Sequence, residues 1–162
     1  VTPELLQSLR DLGFNFNDGQ DTPNISGIFA FNPVVLQATN IPSDFPIGST
    51  FFDLEMNFSN LNPETRTFDF VLTENNNVTG ETQASFYSGN GNEFTAYVRS
   101  LFSSNGDQAI LLYAITGTIE EEGITNATYA LIMLDNMGNS STYIENGQGR
   151  LFRDDTGTAD RQ

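Results

Sequence analysis

The 162-residue chain contains no cysteine, histidine, lysine or tryptophan. Without cysteine there is no disulfide scaffold, no thiolate zinc site and no cysteine nucleophile. Without histidine there is no Ser-His-Asp triad, no imidazole zinc site and no histidine general base. Without lysine there is no Schiff base, no Ser-Lys dyad and no P-loop, whose signature requires that residue. No Gly-x-Gly-x-x-Gly opens a helix after a strand, and the glycine-rich SGNGNEF (88–94) leads into a strand instead. No run of 18 apolar residues exists, so the chain is not expected to span a membrane. No basic stretch followed by an apolar one opens the sequence, so no signal peptide is expected in it. A start at Val1 without methionine reads as a trimmed, exported product.

Charge of one sign is scarce as well. Six arginines face 21 acidic residues, for a net charge of −15. Such a chain repels nucleic acid and anionic headgroups, so no nucleic-acid partner is expected. The acidity reads as solubility at high salt, or as attraction for cations or a basic partner.

One helix is predicted at the start. Thr2 can cap it, Pro3 suits its first position and Glu4 favours its positive end. Leu5, Leu6, Leu9 and Leu12 fall at helical spacing, and Gly13 is a natural stop. The remainder has period two. Strands are expected near 26–32, 49–58, 66–73, 81–88, 93–102, 108–120, 124–135 and 149–153, separated by clusters of turn residues. The stretch PVVLQATNIPSDFPIGS reads as one long connection. The expected fold is all-β, an antiparallel up-and-down, lipocalin- or calycin-like barrel of about eight strands, with the helix of residues 1–13 packed on a single domain of residues 14–162.

Alternation assigns faces. Phe52, Leu54, Met56 and Phe58 share one, as do Phe68, Phe70 and Leu72, and Phe94, Ala96 and Val98. Gln108–Leu134 is a hairpin with two apolar faces. A turn near Glu122 pairs 114 with 130, 112 with 132 and 110 with 134. One face then carries Ile110, Leu112, Ala114, Ala130, Ile132 and Leu134; the other carries Leu111, Tyr113, Ile115, Tyr129, Leu131 and Met133. One belongs to the core. The second must be covered by the Leu5–Leu12 helix or serve as a docking surface. Tyr87, Tyr97 and Arg99 share an outward parity, and tyrosine and arginine favour interface cores. The candidate binding residues are therefore Tyr87, Tyr97, Arg99, Ile110, Leu112, Ile132 and Leu134.

Carboxylates are the remaining source of chemistry. Asp53, Glu55 and Asp69 are the candidates for a glycan hydrolase, which needs a pair flanking the scissile bond. Their faces read as solvated, so no catalytic residue is assigned. Calcium is the metal that oxygen-only side chains suit. Its candidates are Asp135 and Asn139 in DNMGN, Asp154, Asp155 and Asp160 in DDTGTAD, and the NDGQD loop at 17–21. None follows the spacing of a twelve-residue calcium loop, and no other cofactor is expected. Five Asn-X-Ser/Thr sequons occur where composition alone yields about three, so glycosylation is not read from them.

Three stretches together, LRDLGFNFNDG…PNISGIFAF, YALIMLDNMGN and IENGQGRLFRDDTG, resemble predicted secreted or surface lipoproteins of marine Bacteroidetes with a small lipocalin-like β-barrel. The resemblance implies an extracytoplasmic protein, secreted or associated with the outer-membrane surface, whose partner is another envelope protein. It carries no catalytic residues over. A lipoprotein takes its lipid on an N-terminal cysteine, which this sequence lacks. The expected function is a non-enzymatic binding or accessory module in a cell-envelope assembly. The alternative is a calycin-type carrier of a small apolar ligand, held among Phe52, Leu54, Phe68, Phe70, Phe94 and Val98.

Overall fold

A computed structural model describes residues 1–162. Helix α1 (Pro3–Leu12) begins and ends where the sequence signals. The Thr2 hydroxyl accepts from Leu5 N at 3.3 Å, and Gly13 takes the left-handed conformation at φ 88°. From there Gly13 N donates to Arg10 O and Phe14 N donates to Leu9 O, which satisfies two of the last carbonyls.

Thirteen strands follow in one sheet. They are β1 (Gln20–Asp21), β2 (Gly27–Phe31), β3 (Val34–Thr39), β4 (Thr50–Phe51), β5 (Leu54–Asn62), β6 (Thr67–Glu74) and β7 (Asn77–Thr79). After these come β8 (Glu81–Asn90), β9 (Glu93–Ser104), β10 (Asp107–Ile119), β11 (Gly123–Asp135), β12 (Gly149–Asp154) and β13 (Thr158–Arg161). The fold is all-β with one short helix, as expected. The sheet is open: its main path runs β1-β8-β9-β10-β11-β13-β2-β5-β6-β7, with β12, β3 and β4 on a side branch. All pairs are antiparallel except β1 with β8.

The strand count exceeds eight because three long passes of chain are kinked, and because β1 and β7 add two short strands. β2 pairs with β5 and β3 pairs with β4 in one continuous register, Phe31 opposite Leu54 and Val34 opposite Phe51. The interruption falls at Asn32–Pro33, where proline offers no N–H to a ladder. Opposite it, Phe52 and Asp53 leave the strand. The stretch 34–39 is therefore a strand and not part of a long connection. Its Val34, Val35 and Leu36 are buried. The predicted strand 49–58 is split at the same kink, which corrects the face assigned to Phe52. That ring is 64% exposed, while Leu54, Met56 and Phe58 are buried.

The main path leaves β6 and β8 without a ladder between them. Side chains span the seam instead. Thr82 Oγ1 donates to Phe70 O at 2.9 Å, and Ser85 bonds both backbone groups of Phe68. One backbone bond, Tyr87 N to Arg66 O at 2.9 Å, adds to these.

The inner face is filled with aromatic rings. Phe58 stands 6.1 Å from Phe29, 5.4 Å from Phe68 and 5.2 Å from Phe70, centroid to centroid. Phe94 and Val98 are fully buried there too. On the outer face, Leu9, Leu12 and Phe14 lie over Leu112, Ala114, Ala130 and Ile132. The hairpin pairs as predicted, Ala114 opposite Ala130 and Leu112 opposite Ile132, until a bulge sets Ile110 opposite Asp135. The helix thus covers most of the second apolar face. Each fully buried leucine of this contact contributes roughly 1.5–3 kcal/mol.

Candidate functional site

The helix does not cover that face completely. Beside its N-terminal turn a groove of about 250 Å³ remains. Val1, Thr2 and Leu5 form one wall, and two rows across the sheet form the rest. Phe86 lies opposite Tyr97, and Ala84 lies opposite Arg99, which in turn faces Leu112. Leu134 closes the end. Small Ala84 between larger neighbours leaves the depression.

Four of the seven residues singled out in the sequence meet here: Tyr97, Arg99, Leu112 and Leu134. Two more are buried close by. Ile132 lies under the helix, and Ile110 is buried in β10. Tyr87 is a correction. It faces the core, 1% exposed, with its ring 5.9 Å from Phe68. The two-residue turn Gly91–Asn92 sets the register and places Tyr87 opposite Ala96, so it cannot share Tyr97's face. The same turn brings Phe86 outward. Sequence reasoning passed over Phe86, although counting back from Gly91–Asn92 would have found it. It is 38% exposed.

Arg99 lines this groove and Arg66 lies beside it, in a chain where Arg10 and Arg161 likewise form no ion pair. The chain has two ion pairs, Arg150–Asp44 and Arg153–Asp155. Arg99 has no carboxylate partner and donates through Nε to Gln83 Oε1 at 3.1 Å. Arg66 lies over the Phe86 ring at 4.7 Å and donates through Nη1 to Gly19 O. Two guanidinium groups without a carboxylate partner therefore lie by the exposed ring. Burial pushes the Tyr97 hydroxyl up to about 12, with Asp18 adding to the shift and Arg10 opposing it.

The acidic candidates are dispersed. Asp53 and Glu55 share a cleft of about 390 Å³. Asp69 lies elsewhere on β6 and accepts from Asn60 Nδ2 at 2.7 Å, so the three carboxylates do not form one site. Asp135 accepts from Met137 N at 2.8 Å, and Asn139 donates to Gln108 O at 3.1 Å, both as turn braces. Asp154 is buried and accepts from Asn32 N at 3.0 Å and Thr156 N at 2.9 Å, which pins two kinked passes together. Asp155 pairs with Arg153, and Asp160 is exposed on β13. No three acidic residues converge as a metal-holding group. No helix is long and apolar enough to cross a membrane.

No family model, curated protein or solved structure matches the chain.

Proposed function

We propose that the protein is a non-enzymatic binding module of the cell envelope, and that the groove beside α1 receives an apolar segment of a partner protein. The observation that carries this reading is the exposed Phe86 ring flanked by Arg66 and Arg99. Neither arginine has a carboxylate partner in a chain with 21 acidic residues. Charge complementarity asks for a segment with an acidic side chain beside an apolar one. The apolar side chain would fill the groove, while the carboxylate would meet Arg99. Tyrosine, phenylalanine and arginine are the residue types that dominate interface cores. The extracytoplasmic location and the envelope partner follow from the resemblance to surface lipoproteins. So does the finer reading of the fold, in which the kinked passes act together as a lipocalin-like barrel. A small apolar ligand inside that barrel is disfavoured by the packed phenylalanines.

Panning a random peptide library on the immobilised protein tests the reading. Peptides that pair an aromatic or aliphatic residue with Asp or Glu should be enriched, and Arg99→Glu or Phe86→Ala should abolish their binding. Peptides that bind wild type and both variants equally would refute it.

A further inference from the structure

Another cleft, of about 390 Å³, lies where the kink between β4 and β5 opens the outer face. Its floor is a row across three strands, with Ala30 opposite Glu55 and Glu55 opposite Thr73. Small residues on either side leave Glu55 standing in a hollow. The walls are the kink residues Phe52 and Asp53 and the turn residues Asn75 and Asn76. Both asparagines adopt left-handed conformations, φ 50° and 64°, which asparagine tolerates better than most residues. Asn75 N donates to Asp53 O at 3.5 Å, which joins the two walls.

The side chains of Phe52, Asp53, Glu55, Asn75 and Asn76 are exposed in this cleft. Asp53 and Glu55 take no part in either ion pair. No residue of the chain hydrogen-bonds their carboxylates or the side-chain amides of Asn75 and Asn76. Phe52 adds an apolar ring, 64% exposed, at the edge of a polar hollow.

We infer that this cleft is a binding site for an uncharged carbohydrate. Each carboxylate accepts from two hydroxyl groups, and each amide both donates and accepts, which matches the paired hydroxyls of a pyranose. The Phe52 ring offers an apolar face for the C–H side of the same sugar. The volume holds roughly one or two sugar rings, at the small end of ligand pockets. Two carboxylates in a chain of net charge −15 exclude uronates, sulfated sugars and phosphates. A cation site fits less well, because no third carboxylate converges here. The site is separate from the groove beside α1, so either reading can fail without the other.

The test is an NMR titration of ¹⁵N-labelled protein with cellotriose, xylotriose, laminaritriose, maltotriose, trigalacturonate and calcium chloride. At least one neutral trisaccharide should move the amides of Glu55, Thr73, Asn75 and Asn76 saturably, with millimolar affinity. Phe52→Ala should weaken that binding about tenfold. Glu55→Gln should weaken it several-fold, and both variants should leave distant resonances in place. Trigalacturonate should move none of these amides. The inference is overturned if no neutral sugar moves them, if trigalacturonate moves them equally, or if calcium alone does so reversibly with chelator.

Discussion

The hydroxyl of Ser85 serves both backbone groups of Phe68. It accepts from the Phe68 N–H at 2.9 Å and donates to the Phe68 carbonyl at 2.6 Å. One side chain therefore stands in for a neighbouring strand at the seam between β6 and β8. Ser85→Ala should leave both groups of a buried residue unpaired and cost about 2 kcal/mol in urea unfolding. The Phe68 amide should also exchange faster with solvent. Ser85→Thr, which keeps the hydroxyl, should restore most of the loss. An unchanged midpoint for the alanine variant would show that water closes the seam equally well.

Leu9 is the fully buried anchor of α1 on the hairpin. Leu9→Ala should cost roughly 2–5 kcal/mol, the usual range for a leucine truncated in a packed core. It should also loosen the helix and uncover Leu112, Ala114, Ala130 and Ile132. Binding of a fluorescent apolar dye to the folded variant, absent in wild type, would report that exposure. A destabilised variant that binds no dye would mean the helix stays docked around the cavity.

Asp44 anchors the loop after β3 to β12. Arg150 donates to it through Nε and Nη2, both at 2.8 Å, while Thr39 Oγ1 donates at 2.6 Å. The Arg150 guanidinium holds this carboxyl far below its ordinary value of 3.8. The native state thus keeps the group ionised where the unfolded chain protonates it. Its stabilisation is present above about pH 4 and is lost as pH falls through and below that value. Asp44→Asn should lose about 2 kcal/mol at neutral pH and flatten the acid limb of the stability curve. A variant with the same acid limb as wild type would place the acid sensitivity in other carboxylates.

Alkaline stability should be limited by tyrosine. Burial raises the hydroxyls of Tyr113 and Tyr129, with the Glu74 carboxylate adding to each, and Tyr97 is pushed up to about 12. An unfolded tyrosine ionises near 10, so above that pH the native state holds protons that the unfolded state gives up. Stability should fall between about pH 10 and 12, and tyrosinate absorbance should appear together with unfolding. Absorbance that rises well before unfolding would mean these hydroxyls reach solvent in the folded protein.

Much of the local structure was legible because it rests on local chemistry. The Thr2 cap, Pro3 and Gly13 bound the helix through their own backbone preferences. The paired apolar runs around Glu122 marked the hairpin, and Ala114 falls opposite Ala130 as expected, but the turn itself pairs Ile119 with Ile124 and a bulge between Thr116 and Thr118 supplies the one-residue offset. The groove was half legible: Tyr97, Arg99, Leu112 and Leu134 were marked by residue type and parity. Phe86 was missed and Tyr87 misplaced, since the facing strand was read without its turn.

Composition and periodicity by themselves determined an all-β chain with one amphipathic helix, a −15 charge and no histidine, lysine or cysteine chemistry. They also determined that the hairpin's second face needed a cover. Only the tertiary structure decided the kinks. The break at Asn32–Pro33 coincides with departures at Phe52–Asp53 and at Asp155–Gly157, on passes distant in sequence that lie side by side in the sheet. Period-two alternation has no memory of a neighbouring strand, so it carried Phe52 straight through the break and placed it in the core. The neighbours decide where a pass must bend, and the bend is what turns Phe52 outward beside Glu55 and opens a cleft there.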